Sequence, residues 1–105
     1  MEGLKDIVRV ECGTDFTLAL DKNGKLYSFG DNSYGQLGLN SDAIKVTEPK
    51  KIFTSTAQGK VVDFACGEEH GAFVDSRGNA HTFGFGQDGQ LGHGEKQNIN
   101  TPKRV

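Results

Sequence analysis

The chain has 105 residues, with 12 Lys and Arg against 14 Asp and Glu and a net charge of −2. This length suits one small domain, and the near-balanced charge gives no general attraction to nucleic acid or to anionic membrane. The 15 glycines are about twice the average share, which indicates a backbone rich in turns.

No apolar run approaches the roughly 20 residues of a membrane-spanning helix. The first residues, MEGLKDIVRV, lack the basic-then-apolar order of a secretory signal. The 2 cysteines do not form a disulfide framework, which fits a reducing compartment. An intracellular protein, cytoplasmic or nuclear, is therefore expected.

Apolar residues alternate with a period of two along most of the chain, which predicts β-strands, and no segment carries a helical stripe. The short segments that begin at Asp21 and Asp75 and end at Gly24 and Gly78 predict hairpin turns. Strands are expected near residues 7–11, 16–20, 26–30, 49–53, 61–65, 70–75, 80–84 and 102–105.

The second half of the chain repeats the first, and Cys12 falls on Cys66 with a shift of 54 residues. The matched segments run from Val8 to Gly38 and from Val62 to Gly92. A single domain over residues 1–105 with two tandem repeats, about 7–53 and 61–105, is therefore predicted. The polar connectors, residues 39–48 and 54–60, lie within the repeating pattern and are not domain linkers.

Four short antiparallel strands per repeat are typical of a propeller blade, which must stack on neighbouring blades to bury its faces. The chain is thus predicted to be all-β, with about two four-stranded antiparallel blades. Such incomplete assemblies are expected to associate with further copies or with a partner protein.

The order of motifs also resembles the repeats of the regulator of chromosome condensation family. The resemblance rests on Cys-Gly, an alternating strand, Asp-x-x-Gly, Tyr-Ser-Phe-Gly, Gly-Gln-Leu-Gly and Pro-x-x-Ile, and it covers nearly the whole chain. It implies part of a propeller of about seven blades. Phe29 and Phe83 stand where the family usually has Trp, Phe16 where it usually has His, and Gly86 where Asn is common.

If each blade begins with the Pro-x-x-Ile strand, residues 49–84 form one full blade. Three strands before it and a lone strand at 102–105 would then lack partners. Unpaired edges leave backbone hydrogen bonds unmade. The C-terminal strand is therefore expected to complete a blade of another copy or of a partner chain.

Two motifs resemble ligand-binding sites, but structural roles explain them better. Gly84–Gly89 matches GxGxxG, yet the glycine-rich segment after it does not predict the helix that a dinucleotide site requires. Cys66 and His70, with Cys12, His81 and His93 elsewhere, could suggest zinc, but no Cys-x-x-Cys pair is present. Small buried cysteines and a hydrogen-bonded core histidine are expected instead.

The remaining polar features also favour structural roles. Asp21 and Asp75 are expected to bond the backbone amides of their turns. The basic pairs Lys50-Lys51 and Lys103-Arg104 are expected to form a solvated edge. No catalytic, cofactor-binding or metal-binding residue is therefore predicted, no cofactor is expected, and the chain is not expected to be an enzyme.

The sequence favours a non-catalytic protein-interaction or scaffold module, with the loops at residues 39–48 and 93–101 as its most variable surfaces. The family resemblance implies an alternative, guanine-nucleotide exchange on a small Ran-like GTPase, sometimes with chromatin association. That activity normally needs a full ring and a projecting wedge, and no wedge-like insertion is visible. An oxidoreductase or metalloenzyme would require a bound cofactor.

Overall fold

The structure, a computed structural model, describes residues 6–41, 43–52, 60–86, 92 and 98–104. Within these ranges the chain forms strands and turns, and no helix has the length and apolarity that crossing a membrane requires. The strands are β1 (Ile7–Cys12), β2 (Phe16–Asp21), β3 (Leu26–Asp31), β4 (Lys45–Lys51), β5 (Val61–Cys66), β6 (His70–Asp75), β7 (Ala80–Gly84) and β8 (Ile99–Arg104). Each lies where the alternation predicts a strand, although β4 and β8 begin earlier, at Lys45 and Ile99.

The strands form two antiparallel sheets of four, in the orders β1-β2-β3-β4 and β5-β6-β7-β8. The all-β prediction with two four-stranded blades is confirmed. The assignment of strands to blades is wrong, because β4 pairs with β3 and β8 pairs with β7. Within the described residues, β4 and β8 each complete a sheet of this chain, so the expectation that the C-terminal strand completes a blade of another copy or of a partner chain is not met.

The connector between β3 and β4 explains this pairing. The side chain of Asn32 is buried; its Nδ2 donates to the carbonyls of Ser41 and Ala43 at 3.2 and 2.8 Å. Its Oδ1 accepts the amide of Leu37 at 3.2 Å. The connector is thereby folded back so that β4 lies beside β3. Neighbouring strands in a chain commonly pair when a short connection allows it.

The hairpin turns in the two sheets are built alike. The Oδ1 atom of Asp21 accepts the amides of Asn23 and Lys25, each at 2.9 Å. Asp75 accepts the amides of Arg77 and Asn79 in the same way, at 2.9 and 3.0 Å. Glycine closes each turn at a positive φ, 83° at Gly24 in the first, a backbone conformation that L-residues disfavour. Both aspartates are the predicted turn builders.

The two sheets pack face to face around one apolar core. Strand register places Leu18, Leu20 and Leu26 on one face of the first sheet. These side chains and those on the opposing face of the second sheet are almost fully buried. We call these two surfaces the packed faces. The core cluster comprises Phe16, Leu18, Leu20, Leu26, Leu37, Ile52, Val61, Phe64, Phe73 and Phe83.

Close contact between the packed faces depends on a glycine. A Cβ atom at Gly71 would lie 2.7 Å from the ring of Phe83 and 3.3 Å from Cδ1 of Leu18. The equivalent residue in the first sheet is Thr17, on the face that no other sheet of the described residues covers. The backbones also bond directly, since the amide of Thr14 donates to the carbonyl of Glu68 at 2.9 Å.

Candidate interaction surfaces

Each sheet has one packed face and one open face. Because the two halves of the chain repeat, the residues on the open face of one sheet occupy the same positions as the residues on the packed face of the other. The open face of the second sheet carries Ala72, Val74 and Ala80, which share a face by strand register. These residues occupy the positions of Leu18, Leu20 and Leu26, which are 54 residues earlier. The surface that the first sheet buries is therefore left uncovered on the second.

Small side chains make this second open face concave. The side chain at position 74 is 37% exposed, whereas its equivalent Leu20 is 7% exposed. The depression has a volume of about 230 Å³. We call it the groove; its lining residues are Arg9, Asp63, Phe64, Ala65, Ala72, Phe73, Val74 and Ala80. The groove is thus mainly apolar, with charge at its rim.

The open face of the first sheet is equivalent to the packed face of the second. Val10 is 48% exposed, whereas Phe64, its equivalent, is 3% exposed. Tyr27 and Phe29 on the same face are half-buried. The hydroxyl of Tyr27 donates to Oδ2 of Asp21 at 3.2 Å, and partial burial raises the pKa of this phenol. We call this surface the front face.

Arg9 of the first sheet contacts two residues of the second sheet at the rim of the groove. Its guanidinium lies 4.7 Å from the centroid of the Phe64 ring and donates to the Phe64 carbonyl at 2.8 Å. It also forms an ion pair with Asp63. The hydrogen bond from Arg9 lowers the pKa of the Asp63 carboxyl. The charges at the rim are therefore already paired within the chain.

A buried hydrogen-bonded pair, His81 and Asp75, lies on the packed face of the second sheet, and the sequence analysis does not predict it. Nε2 of His81 is 3.1 Å from Oδ2 of Asp75, and both side chains are at most 2% exposed. The ring of Phe73 stacks on His81 with centroids 4.7 Å apart. Hydrogen bonds from the Asn79 amide and from His81 lower the pKa of Asp75 to about 2. The sequence contains one signal for this contact. Tyr27 and His81 occupy equivalent positions, each six residues after the aspartate of its turn.

The residues considered for zinc are not brought together. In the described part of the chain, no group of three His, Cys, Asp or Glu side chains is placed to hold a metal ion. Sγ of Cys66 donates to the Glu11 carbonyl at 3.7 Å, and burial raises the pKa of this thiol to about 12. His93 lies outside the described residues.

Two of these residues differ from expectation. Cys12 is exposed rather than buried, because it lies on the front face, which no other sheet of the described residues covers. His70 is half-buried and lies on the open face of its sheet, so it is not a core histidine. Its ring packs against Gly67, where a Cβ atom would come within 2.0 Å of it. Phe16 covers Gly13 in the same way.

The other sequence candidates occupy peripheral positions. In the GxGxxG segment, β7 ends at Gly84, the amide of Gly86 donates to Oδ1 of Asn98 at 3.2 Å, and residues 87–89 lie outside the described ranges. The basic pairs of β4 and β8 are exposed on outer strands, so the predicted solvated edge is confirmed. A polar crevice of about 360 Å³ lies beside the β3–β4 connector, with Tyr34 and Asn100 among its lining residues.

The Asp75 carboxylate predicts acid sensitivity. Its pKa of about 2 in the fold lies below the value of about 3.9 in an unfolded chain. Its contribution to stability is therefore complete above about pH 4 and is lost as the pH falls through 2. In urea titrations at pH 7, 4, 3 and 2, Asp75→Asn should be less stable than wild type at pH 7. The two should converge toward pH 2; parallel curves for D75N would contradict the assignment.

The difference between packed and open faces predicts opposite outcomes at equivalent sites. Leu26→Glu places a charge at a position that is 1% exposed, so it should lower the free energy of unfolding by more than about 4 kcal/mol. Ala80→Glu lies in the open groove and should cost less than about 1 kcal/mol. Urea denaturation followed by circular dichroism measures both, and equal losses would show that the groove is covered.

Comparison with known proteins agrees with this fold. The regulator of chromosome condensation (RCC1) repeat matches residues 23–74 and 77–105, and a second description of the same repeat matches residues 7–36. The chain is 44% identical over 101 residues to the human probable E3 ubiquitin-protein ligase HERC4, covering 94% of the chain and 9% of that protein. It is 35% identical over 121 residues to the zebrafish (Danio rerio) protein RCC2 homolog, covering 94% of the chain and 24% of that protein.

Among solved structures, Prp20p of Saccharomyces cerevisiae superposes with a TM-score of 0.85 at 24% identity, covering 98% of the chain and 27% of Prp20p. This likeness supports the fold. The chain therefore spans only 9% to 27% of the lengths of these proteins. The repeat match and the two-blade fold together show that the chain belongs to the regulator of chromosome condensation repeat family.

Proposed function

We propose that the chain is a non-catalytic protein-interaction module that docks further sheets of its own repeat type onto its front face and its groove. The sheets are supplied by a partner protein or by further copies. The proposal places the module inside the cell, in the cytoplasm or nucleus, in agreement with the two free thiols.

One observation carries the proposal: the chain contains one interface between sheets, and within the described residues the open face of each sheet occupies the positions of one half of that interface. The packed face of the first sheet buries Leu18, Leu20 and Leu26, and equivalent positions on the second sheet are open. Exposed apolar surface of this kind commonly marks a contact with another protein. This geometry supports a scaffold role, which needs no reactive group.

The similarity to HERC4 does not indicate that this chain has the activity of that protein. HERC4 is described as a probable ubiquitin-protein ligase, but the matched segment is 9% of that protein. Ligase activity is therefore not transferred to this chain.

A photo-reactive phenylalanine analogue placed at Val74 tests the proposal in cells of the natural source. Irradiation should cross-link the groove to one predominant protein, and mass spectrometry of the joined peptides should identify a β-strand of the same repeat family. The control position is Val62, which is 57% exposed but lies in a bulge of β5 rather than in the groove. Equal cross-linking at both positions, or none at Val74, would contradict docking at the groove.

The alternative is part of a guanine-nucleotide exchange factor or regulator for a small Ran-like GTPase, with chromatin association. Its support is that Prp20p, which shares the fold, was characterised for binding to Gsp1p and histones. Release of labelled GDP from a Ran-type GTPase, with and without the purified chain, separates the two functions. A scaffold should leave the release rate unchanged, whereas acceleration of tenfold or more would favour the exchange factor.

A further inference from the structure

A polar crevice lies between the β3–β4 connector and the beginning of β8. Its volume is about 360 Å³, which falls within the usual range of about 300–1,000 Å³ for ligand sites. The connector contributes Tyr34, Ser41 and Ile44 to its lining, and the second sheet and the residue before β8 contribute Asn100 and Asn98. Both walls belong to this chain, so the crevice is formed whether or not another sheet covers the front face or the groove.

Direct contacts hold the two walls in place. The amide of Asn40 donates to the carbonyl of Asn100 at 2.7 Å, which joins the connector to β8. A Cβ atom at Gly35 would lie 2.7 Å from Cβ of Asn100, so glycine is needed for the close approach of the walls. The rings of Tyr34 and Phe85 meet edge to face, with centroids 5.0 Å apart. The crevice is therefore preformed, which lowers the entropic cost of binding.

The described lining residues of the crevice carry no charged side chain. The carboxylate of Asp31, at the end of β3, accepts hydrogen bonds from Oγ of Ser33 and from Nε2 of Gln36, each at 2.9 Å. Each of its oxygens thus has a donor within the chain. Burying a charged group of a ligand where no opposite charge meets it is unfavourable. The crevice is therefore suited to an uncharged ligand.

The wall formed by β8 presents a carboxamide with few partners. The Asn100 side chain is half-buried, and its Oδ1 has one long contact, with Oγ1 of Thr101 at 3.5 Å. Within the described ranges, no group accepts a hydrogen bond from its Nδ2. Folded proteins leave few buried polar groups unpaired. A carboxamide offers a donor and an acceptor side by side, which match the C=O and N–H of a peptide group.

The wall formed by the connector is partly apolar. Ile44 is 72% exposed and Tyr34 is 37% exposed. The backbone at Ile44 is nevertheless held, because the amide of Asn32 donates to its carbonyl at 2.7 Å. Ligand sites commonly combine apolar and aromatic side chains with a few polar groups that fix orientation. A peptide supplies an amide for one wall and an apolar side chain for the other, whereas a saccharide ring, with hydroxyl groups around its edge, would bury Ile44 poorly.

We propose that the crevice binds a short, uncharged peptide segment of a partner protein, with Asn100 bonding one of its peptide groups and an apolar side chain packing against Tyr34 and Ile44. This site is separate from the proposed function, because it uses neither the groove nor the front face. The partner binds here through a linear segment and not through a folded sheet.

A library of random nine-residue peptides displayed on phage provides the probe. Selection on the wild-type chain should enrich peptides that share an apolar residue and lack charged ones. The most enriched peptide is then synthesised with acetylated and amidated ends, and isothermal titration calorimetry measures its affinity.

Two variants report on the two walls. Asn100→Asp keeps the size of the side chain but replaces its donor with a charge, and Ile44→Ser removes the apolar contact at an exposed position. Each should weaken binding of the synthetic peptide at least fivefold. The control is Asn23→Asp, the same substitution at an exposed residue of the β2–β3 turn, which should leave the affinity unchanged. Circular dichroism and urea denaturation establish that each variant is folded, and I44S carries the test if N100D is not.

Four results would overturn the inference. Selection that enriches no peptide, or that enriches charged ones, would show that the crevice does not take an uncharged segment. Equal weakening by N23D and N100D would reflect added charge alone. Binding that resists N100D and I44S would place the peptide elsewhere; its loss in the A80E variant would locate it in the groove. Saturable binding of maltotriose that N100D removes, without peptide binding, would identify a saccharide site instead. None of these results decides the proposed function, which the cross-link at Val74 tests separately.

Discussion

The burial of one sheet face against another is the constraint on which this structure depends. A single four-stranded sheet with apolar residues on both sides cannot bury both of them alone. In this chain two such sheets bury one face each, and the cluster from Phe16 to Phe83 includes residues of both. In the described part of the chain the two sheets share one interface, which leaves the other face of each sheet open.

Polar groups make that interface possible by fixing the loops around it. Asn32 satisfies three backbone groups of the β3–β4 connector, and the turn aspartates satisfy the amides of their hairpins. Buried polar groups that are fully bonded specify one arrangement without the cost of unpaired donors. The Asp75–His81 pair extends this network into the core, where Phe73 stacks on the histidine. The repeat therefore keeps its turn chemistry while its apolar residues vary.

The sequence predicts local structure well because the relevant interactions are local. Alternation places all the strands, and Asp-x-x-Gly places the hairpins. The assignment of β4 depends on how Asn32 folds a distant part of the connector, a contact that alternation does not encode. The exposure of Cys12 and of the groove depends on which sheets pack against each other. Alternation of apolar residues predicts a strand but does not predict which of its faces another sheet covers.

Comparison of the two repeats supplies what the pattern alone cannot. Positions that are 54 residues apart occupy the same place in successive sheets, so each open residue has a packed counterpart that shows the environment for which the position is shaped. Where the two residues are the same, as with Phe29 and Phe83, packing within the repeat accounts for the residue type. Where they differ, as with Ala80 and Leu26, the leucine is buried in the packed interface and the alanine is exposed and lines the groove. Similarities between the repeats at equivalent positions therefore identify residues that the fold requires, while differences identify residues whose surroundings differ between the two sheets.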